Sequence, residues 1–323
     1  MLWWIRRLRS LIHPTSATNL TLQGGLSEAT PPKSGKCLAL SWQPVITKQT
    51  RREMDKKAVR QKKEDLIRRL RRLGSLLTAF SGGVDSSFLL AVSHQVLREK
   101  TLAVTASSVI HPAGEIKDAC DFAGKYGIKH VVFRSDVMKL KDFQANGPER
   151  CYYCKRHLFK KLFSIADERN IKHVAHGANL DDLKDFRPGF RAAHEAGVIA
   201  PLIEAQLDKE EIRFLSKEMG LSTWDKPSMP CLASRIPYRN LITDKKLKMV
   251  EETEAFLAGL GFISSRVRHY GSVAIIEAGI NDLEKVTRKN CREVITERFR
   301  KAGFDHVALD LEGYVPGKMN RGF

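Results

Sequence analysis

Three cysteines stand in patterns that could do chemistry. Cys151 and Cys154 share the stretch RCYYC, and Cys231 follows much later in MPCLASR. Two thiols three residues apart at the start of a helix can face one point. Three thiolates suit a zinc site that lacks its fourth ligand, or a 4Fe-4S cluster with one open iron, and buried filler is the remaining alternative. The other cysteines are Cys37, Cys120 and Cys291. Cys120 lies on a predicted helix and is expected to fill the core.

A second stretch, AFSGGVDSS, places two glycines directly after a predicted strand and before a predicted helix. Backbone N–H groups at such a turn can hold a phosphate. The candidate ATP ligands here are Ser81, Gly82, Gly83, Asp85 and Ser86, and Asp85 is also the candidate magnesium ligand. The stretch is neither a Walker A loop nor a dinucleotide GxGxxG motif. It resembles the SGGxDS loop of the PP-loop ATP pyrophosphatases, which implies an enzyme that cleaves ATP between its α and β phosphates and adenylates an oxygen.

Two more stretches are expected at the same edge of the sheet. The adenine ring should lie over the end of the second strand, where Ala106 leaves room and backbone groups can read the base. The stretch HGANLDDLKDFRPG ends another strand. In it Asp181 is a candidate ATP ligand, Asp185 could help to bind magnesium, and Arg187 could neutralise charge on an adenylate. An Asx-capped loop explains these residues equally well.

These motifs lie on an alternation of strand and helix patterns that begins at Met54. The predicted strands are SLLTAF, TLAVTAS, KHVVFR and HVAHGA, with helical patterns between them. Such alternation indicates a parallel sheet that is covered by helices on both faces. We therefore predict an α/β fold with a doubly wound parallel sheet, of the adenine nucleotide alpha hydrolase-like PP-loop type, over residues 54–240.

The rest of the chain predicts a small C-terminal α+β domain over residues 241–323, for substrate binding or oligomerisation. A long helix precedes the strand patterns SSRVRHY, SVAIIEA and HVALDLE, and the short GS turn between the first two indicates a hairpin. Arg266 and Arg268 alternate along the first strand, so both guanidinium groups can face one side and grip a phosphate. A solvated strand face is the alternative.

The positive charge is concentrated at the start of the chain. The formal net charge is +18, yet the first 72 residues hold 17 of the 55 Lys and Arg residues and 5 of the 37 Asp and Glu residues. The remaining 251 residues are nearly balanced, which weakens the case for a nucleic-acid enzyme. Residues 1–53 predict a disordered or targeting segment, or an extension ahead of a start at Met54. No apolar run is long enough for a membrane helix, so we expect a cytoplasmic protein, or an organellar one if residues 1–53 are a transit peptide.

Five separated stretches together resemble one family. SGGVDSS, RCYYCKRHLF, HGANLDDLKDFRPGFRAAHEAGVIAPL, TWDKPSMPCLASRIPY and SRVRHYG are similar to the LarE family of ATP-dependent sulfur transferases, over about residues 54–312. The resemblance implies that a carboxylate of pyridinium-3,5-biscarboxylic acid mononucleotide is adenylated and then converted to a thiocarboxylate, for the nickel-pincer nucleotide cofactor. It also implies a small-molecule nucleotide substrate, no nucleic-acid partner and a homo-oligomer.

The resemblance assigns roles to particular residues. Cys231 aligns with the cysteine that gives up its own sulfur in one branch of the family. With Cys151 and Cys154 it resembles the branch whose three cysteines hold a 4Fe-4S cluster, and this second branch is the one we favour. The substrate phosphate and its pocket are implied at Arg266, Arg268, Ser234, Arg235 and Glu254. A tRNA thiolation enzyme of the PP-loop class is the main alternative, and a nucleotide sensor or an ammonia-using synthetase are others.

Overall fold

A computed structural model describes residues 54–184 and 188–321. Its strands form two sheets, and helices pack against them. In chain order the first part contains α1 Lys56–Leu73, β1 Leu76–Ala79, α2 Val84–Leu97, β2 Thr101–Ser107, α3 Ala113–Lys125, β3 His130–Arg134, α4 Lys141–Gln144, α5 Arg150–Glu168, β4 Val174–His176, α6 Pro188–Glu195, α7 Pro201–Glu204 and α8 Lys209–Glu218. The second part contains α9 Asp244–Gly259, β5 Arg266–Tyr270, β6 Val273–Glu277, α10 Leu283–Thr287, α11 Lys289–Ala302 and β7 His306–Leu309.

The first sheet is parallel and has the strand order β3-β2-β1-β4. The chain moves outward from β1 to β3 and then returns to β4 on the other side of β1. Open α/β sheets bind ligands where the strand order reverses, outside the carboxyl ends of the strands. The site is therefore expected where β1 and β4 end.

Helices cover both faces of this sheet because its central strand is apolar on both sides. Leu76 belongs to a buried cluster with Leu66 of α1 and Phe88 of α2. Its neighbour Leu77 belongs to a second cluster with Phe159 of α5. Successive strand residues point to opposite faces, so this split confirms the predicted α/β sheet with two covered faces.

The second sheet has the order β5-β6-β7. Strands β5 and β6 are antiparallel and pair Tyr270 with Val273, which confirms the predicted hairpin over Gly271 and Ser272. Gly271 has a φ of +66°, a left-handed conformation that glycine adopts without steric cost. Strand β7 then joins β6 in parallel. The domain boundary that we predict near residue 240 stays a prediction.

One cysteine prediction is wrong. Cys120 is exposed, whereas its helix α3 buries Ala119, Phe122 and Ala123. An amphipathic helix buries one stripe of residues at spacings of three and four, and Cys120 lies beside that stripe. The helical pattern alone does not tell a small apolar residue at the border of the stripe from one inside it.

Among the described residues, no helix combines the length and the apolar character that crossing a membrane requires. The expectation for residues 1–53, with Cys37, falls outside the described residues, as do the roles predicted for Asp185 and Arg187.

Candidate active site

The SGGVDSS stretch forms a tight loop between β1 and α2. Gly82 has a φ of +70°, and Gly83 is the N-cap of α2. The hydroxyl of Ser86 accepts a hydrogen bond from the Ser81 N–H at 3.3 Å and donates to the Gly83 carbonyl at 3.1 Å. The loop is thus fixed before any ligand binds, and it lies at a helix N-terminus, where free N–H groups and the helix dipole favour an anion.

A glycine from the neighbouring strand lets this loop lie close to the sheet. A Cβ atom added to Gly177, directly after β4, would lie 2.8 Å from both the Cα and the N of Ser86. No side chain tolerates that approach to backbone atoms. The sequence gives a weak signal for it, since a glycine that follows a strand is more often part of a turn.

The loop borders a cavity of about 150 Å³. The cavity is lined by Ser81, Gly83, Val84, Asp85, Glu115, Lys209, Lys226, Pro227, Ser228 and Met229. Lys209 Nζ donates to Asp85 Oδ2, whereas Asp85 Oδ1 is buried without a hydrogen-bond partner in the described part of the chain. On the other side, Lys226 pairs with Asp118 at 2.8 Å. Two ammonium groups and a helix N-terminus therefore surround a space that a polyphosphate would suit electrostatically.

Sequence patterns did not single out Glu115, Lys209 or Lys226. Lys209 begins α8 after the capping residue Asp208, and Lys226 lies in a proline-containing stretch with no regular period. Both reach the loop from distant parts of the chain. For Lys226 the sequence gives one signal, which is its place five residues before Cys231. For Lys209 it gives none.

The residues predicted to contact the nucleotide lie near the loop. Ala106 is two residues beyond the pair Ala79–Val104, level with the start of the phosphate loop. Asp181 Oδ2 accepts the Lys209 N–H at 3.0 Å, while its Oδ1 binds Lys184 at 2.8 Å. The Lys184 ammonium, followed by the Lys209 N–H, lowers the pKa of the Asp181 carboxyl.

The loop after β4 also forms the Asx-type contacts of the alternative interpretation. The Asn179 side chain accepts from the Asp181 N–H at 2.9 Å, and Asp182 accepts from the Asn179 N–H at 3.0 Å. Asp181 thus supports the start of α8, and through it the position of Lys209.

The three predicted cysteines come together at the start of α5. Cys151 and Cys154 lie in its first turn, and Cys231 directly precedes a 3-10 turn, Leu232–Arg235. Burial raises the pKa of the Cys154 thiol to about 12, and the nearby Cys231 and Cys151 add to this rise. The Cys151 residue is exposed, yet protein surrounds its thiol closely enough that burial and then Cys231 raise its pKa as well.

Cys154 and Cys231 also pack against the same apolar cluster, which includes Phe143 and Leu232. Residues 54–184 and 188–321 nevertheless contain no group of three or more His, Cys, Asp or Glu side chains arranged to hold a single metal ion. A closed zinc site is therefore not formed by the thiols as they lie. Three cysteine side chains are the ligand type that a 4Fe-4S cluster takes, and the cluster at these residues stays a prediction.

The segment that carries Cys231 is held by arginine side chains through its backbone. Arg235 is completely buried, donates to the Cys231 carbonyl at 3.2 Å, and forms a two-pronged pair with Glu254 through contacts of 2.8 Å each. Arg150, beside Cys151, donates to the Ala233 carbonyl at 3.0 Å. Such forked contacts fix geometry as well as adding energy.

The two arginines of β5 are buried and do not form a solvated face. Arg266 donates to the Ser228 carbonyl at 2.9 Å. Arg268 donates to the Ser234 carbonyl at 3.0 Å and pairs with Glu277 at 2.6 Å. Arg266 therefore contacts a residue of the first cavity, whereas Arg268 lines a second cavity of about 490 Å³.

Comparison with known proteins first indicates the class of enzyme to which the chain is similar. No family model matches the chain. It is 39% identical over 260 residues to an uncharacterized protein of Synechocystis sp., which covers 80% of this chain and 97% of that protein. It is 26% identical over 214 residues to a tRNA-specific 2-thiouridylase of Desulforamulus reducens, over 53% of this chain and 58% of that protein. The glycine loop at the end of β1, the parallel sheet and the similarity to this tRNA 2-thiouridylase together support an enzyme of the PP-loop class.

The family follows from a third relative. Over 260 residues the chain is 32% identical to the pyridinium-3,5-bisthiocarboxylic acid mononucleotide synthase of Lactiplantibacillus plantarum, covering 80% of this chain and 94% of that protein. The chain belongs to the LarE family, as its separated motifs predicted. Sulfur transfer in cofactor biosynthesis is the activity of this family.

Proposed function

We propose that the protein adenylates a carboxylate of pyridinium-3,5-biscarboxylic acid mononucleotide with ATP and replaces it with a thiocarboxylate. The sulfur is delivered through Cys231, or through a 4Fe-4S cluster held by Cys151, Cys154 and Cys231. One observation carries the proposal in this LarE-family chain. The segment that lines the phosphate-loop cavity at Lys226–Met229 continues within two residues to Cys231.

The first step needs the phosphate loop and the two lysines. Ser81, Gly82, Gly83 and Ser86 hold the triphosphate through N–H and hydroxyl groups, with Ala106 beneath the adenine and Asp181 behind Lys209. The substrate carboxylate attacks the α-phosphorus, and pyrophosphate leaves. Lys209 and Lys226 offset the charge that develops on the leaving group. Asp85 has one carboxylate oxygen without a partner and is the proposed ligand for magnesium on the phosphates.

The second step replaces AMP by sulfur. An unactivated carboxylate has a poor leaving group, whereas the mixed anhydride releases AMP. In the sacrificial route the Cys231 thiol attacks the acyl carbon, gives up its S–H proton to a base, and AMP departs. Loss of the Cys231 α-proton then breaks its Cβ–S bond, which leaves the thiocarboxylate on the product and dehydroalanine in the chain.

In the second route the three cysteines would hold the cluster as thiolates. A bound cluster would supply the sulfur as hydrosulfide, so that the protein would not be consumed. What this chain contributes is the convergence of the thiols and the nearby cations of Arg150 and Lys155, which lower the pKa of the Cys151 thiol against the effect of burial.

The substrate phosphate is proposed to bind at Arg266 and Arg268, with Ser234 beside them. Arg268 lines the second cavity, and Arg266 contacts Ser228 of the first. Arg235 and Glu254 hold one another and fix the segment that these arginines contact. We also propose a homo-oligomer, which light scattering on the purified protein tests.

The test is a two-product assay under anaerobic conditions. Protein, ATP, magnesium and the pyridinium substrate should yield pyrophosphate and a thiocarboxylate that mass spectrometry detects. Cys231→Ala should still release pyrophosphate but form no thiocarboxylate, whereas Cys120→Ala, which changes an exposed thiol, should keep both activities. Wild-type protein that forms neither product contradicts the proposal.

Iron and labile sulfide content distinguish the two sulfur routes. A cluster predicts visible absorbance that Cys151→Ala and Cys154→Ala each remove. Full activity in iron-free protein that carries both substitutions would exclude the cluster. A protein mass that falls by one hydrogen sulfide after turnover indicates the sacrificial route.

The similarity to a tRNA 2-thiouridylase, together with the basic helix α1, favours one alternative substrate. A tRNA gel shift at physiological salt tests it, since phosphate contacts make affinity fall steeply as salt rises. Tight and saturable binding would replace the small nucleotide with tRNA.

A further inference from the structure

Glu115 is an acid in the cavity that the two steps above do not use. It lies in the first turn of α3, is half-buried, and lines the cavity with Ser81, Gly83 and Asp85. No hydrogen bond or ion pair of the described residues involves its carboxyl group. The carboxyl group of this cavity-lining residue therefore has no fixed partner among the described residues.

The charged groups around Glu115 are mostly occupied by other partners. Lys226 is paired with Asp118, Arg235 with Glu254, and Lys209 with Asp85. The remaining cation is Arg266, which binds backbone carbonyls. Burial is the largest effect and raises the pKa of Glu115 to about 7. The positive charges of Lys226, Arg235 and Arg266 lower this pKa, and the negative charge of Asp118 adds to the rise. The carboxyl group can therefore exchange a proton near neutral pH.

The position of Glu115 connects it to the sulfur as well as to the nucleotide. Ser228 and Met229 line the cavity beside it and precede Cys231 by three and two residues. The Arg235 guanidinium contacts the Cys231 carbonyl and interacts electrostatically with both Glu115 and Cys231. Glu115 thus lines the same cavity as the phosphate loop and as the residues that lead to Cys231.

The sulfur step creates a proton that must be taken up. A thiol or hydrosulfide that attacks the acyl adenylate forms a C–S bond, breaks the C–O bond to AMP and releases the S–H proton. A base near the reacting carbon therefore raises the rate.

We propose that Glu115 is the proton acceptor of the sulfur-transfer step, so that its carboxylate takes the S–H proton as AMP leaves. The inference rests on the proposed function. Other acids nearby are tied to cations, namely Asp85 to Lys209 and Glu254 to Arg235. His111 follows Ile110, whose carbonyl accepts the Leu232 N–H, but burial lowers the pKa of His111 to about 4 and makes it a weak base.

The test separates the two steps in single-turnover experiments with Glu115→Gln, which keeps the shape of the side chain. Pyrophosphate release and the KM for ATP should stay within about twofold, whereas thiocarboxylate formation should slow by about 10²- to 10⁴-fold. In the wild type the transfer rate should rise with pH through about 7 as Glu115 loses its proton, and Glu115→Gln should lose that rise. Asp121→Asn, an exposed acid on the same helix, is the matched control and should change neither step.

Each other outcome overturns the inference. A wild-type transfer rate and pH profile in Glu115→Gln would show that another group accepts the proton, and an equal loss of both steps would assign Glu115 to adenylation or to folding. Glu115→Asp should transfer sulfur more slowly but keep the rise of the rate with pH. If this variant shows no rise with pH, that result also contradicts the inference. If the wild type forms no thiocarboxylate at all, the proposed function fails instead, and the two failures are distinguishable.

Discussion

At the scale of single residues, the candidate site combines residues that the sequence predicts with residues that only the structure reveals. Ser81, Gly82 and Gly83 could be predicted because a phosphate loop is a local pattern between a strand and a helix. Lys209 and Glu115 could not, because they reach the same cavity only after the sheet and its helices assemble. The local pattern predicts where an anion would bind, and the tertiary fold adds the charged side chains around that place.

Lys209 gives the first prediction at this scale. We expect Lys209→Ala to weaken ATP binding by about ten- to a hundredfold, because a hydrogen bond to a charged group contributes about 1.5–3 kcal/mol. Calorimetry with a non-hydrolysable ATP analogue measures the change. Lys248→Ala, which removes an exposed ammonium from α9, is the control and should leave the affinity unchanged. Equal affinities in Lys209→Ala and the wild type would remove Lys209 from the phosphate site.

At the scale of elements, the fit of β4 against the phosphate loop decides the shape of the site. The sequence predicts both β4 and the loop, but their contact depends on packing between segments about ninety residues apart. Gly177 permits the contact because it has no Cβ. The burial of Arg266 and Arg268 could not be predicted for the same reason, because it depends on packing between distant segments. The alternation along β5 places both residues on one face but does not show what covers that face.

Gly177→Ala should therefore damage ATP binding without touching a ligand of ATP. The added methyl group would overlap the Ser86 backbone, so we expect the start of α2 to shift, with a cost of about 1–3 kcal/mol from overpacking. Thermal unfolding and ATP titration should both show the loss. Gly124→Ala, on a helix where nothing lies within 4 Å of the new atom, should be neutral or slightly stabilising. Normal ATP affinity in Gly177→Ala would mean that the loop adapts.

At the scale of the whole molecule, the fold class followed from the sequence because strand and helix periods alternate along most of the chain. The meeting of distant segments did not follow in the same way. The three thiols could be placed together only through the family resemblance, since Cys231 is 77 residues beyond Cys154 and joins it through the loop after α8.

Two partly buried histidines make the stability of the whole fold depend on pH. Burial, with a smaller effect of Lys155, lowers the pKa of both His111 and His176 from 6.5 to about 4. Below pH 6.5 the unfolded chain binds protons that the folded chain does not, so these residues lower stability as the pH falls from about 6.5 to about 4. Glu115 acts in the opposite direction, because its raised pKa stabilises the fold at lower pH.

The effect of His176 is isolated by comparing two proteins. Between pH 7 and pH 5 the wild type should lose on the order of 1–2 kcal/mol more than His176→Gln, since the variant has no imidazole to protonate on unfolding. Urea unfolding at both pH values measures the difference. His306→Gln changes an exposed histidine and should follow the wild type. Parallel losses in His176→Gln and the wild type would contradict a buried neutral imidazole.

The arginine contacts with the cysteine segment have a mechanical consequence. Arg266, Arg235, Arg150 and Arg268 bind carbonyls of Ser228, Cys231, Ala233 and Ser234, so the backbone is anchored on both sides of the sulfur. If the segment that carries Cys231 moved toward the nucleotide, several of these hydrogen bonds would have to break at once. Under the proposed function, the backbone at Cys231 therefore stays in place, and the activated carboxyl group moves to the sulfur.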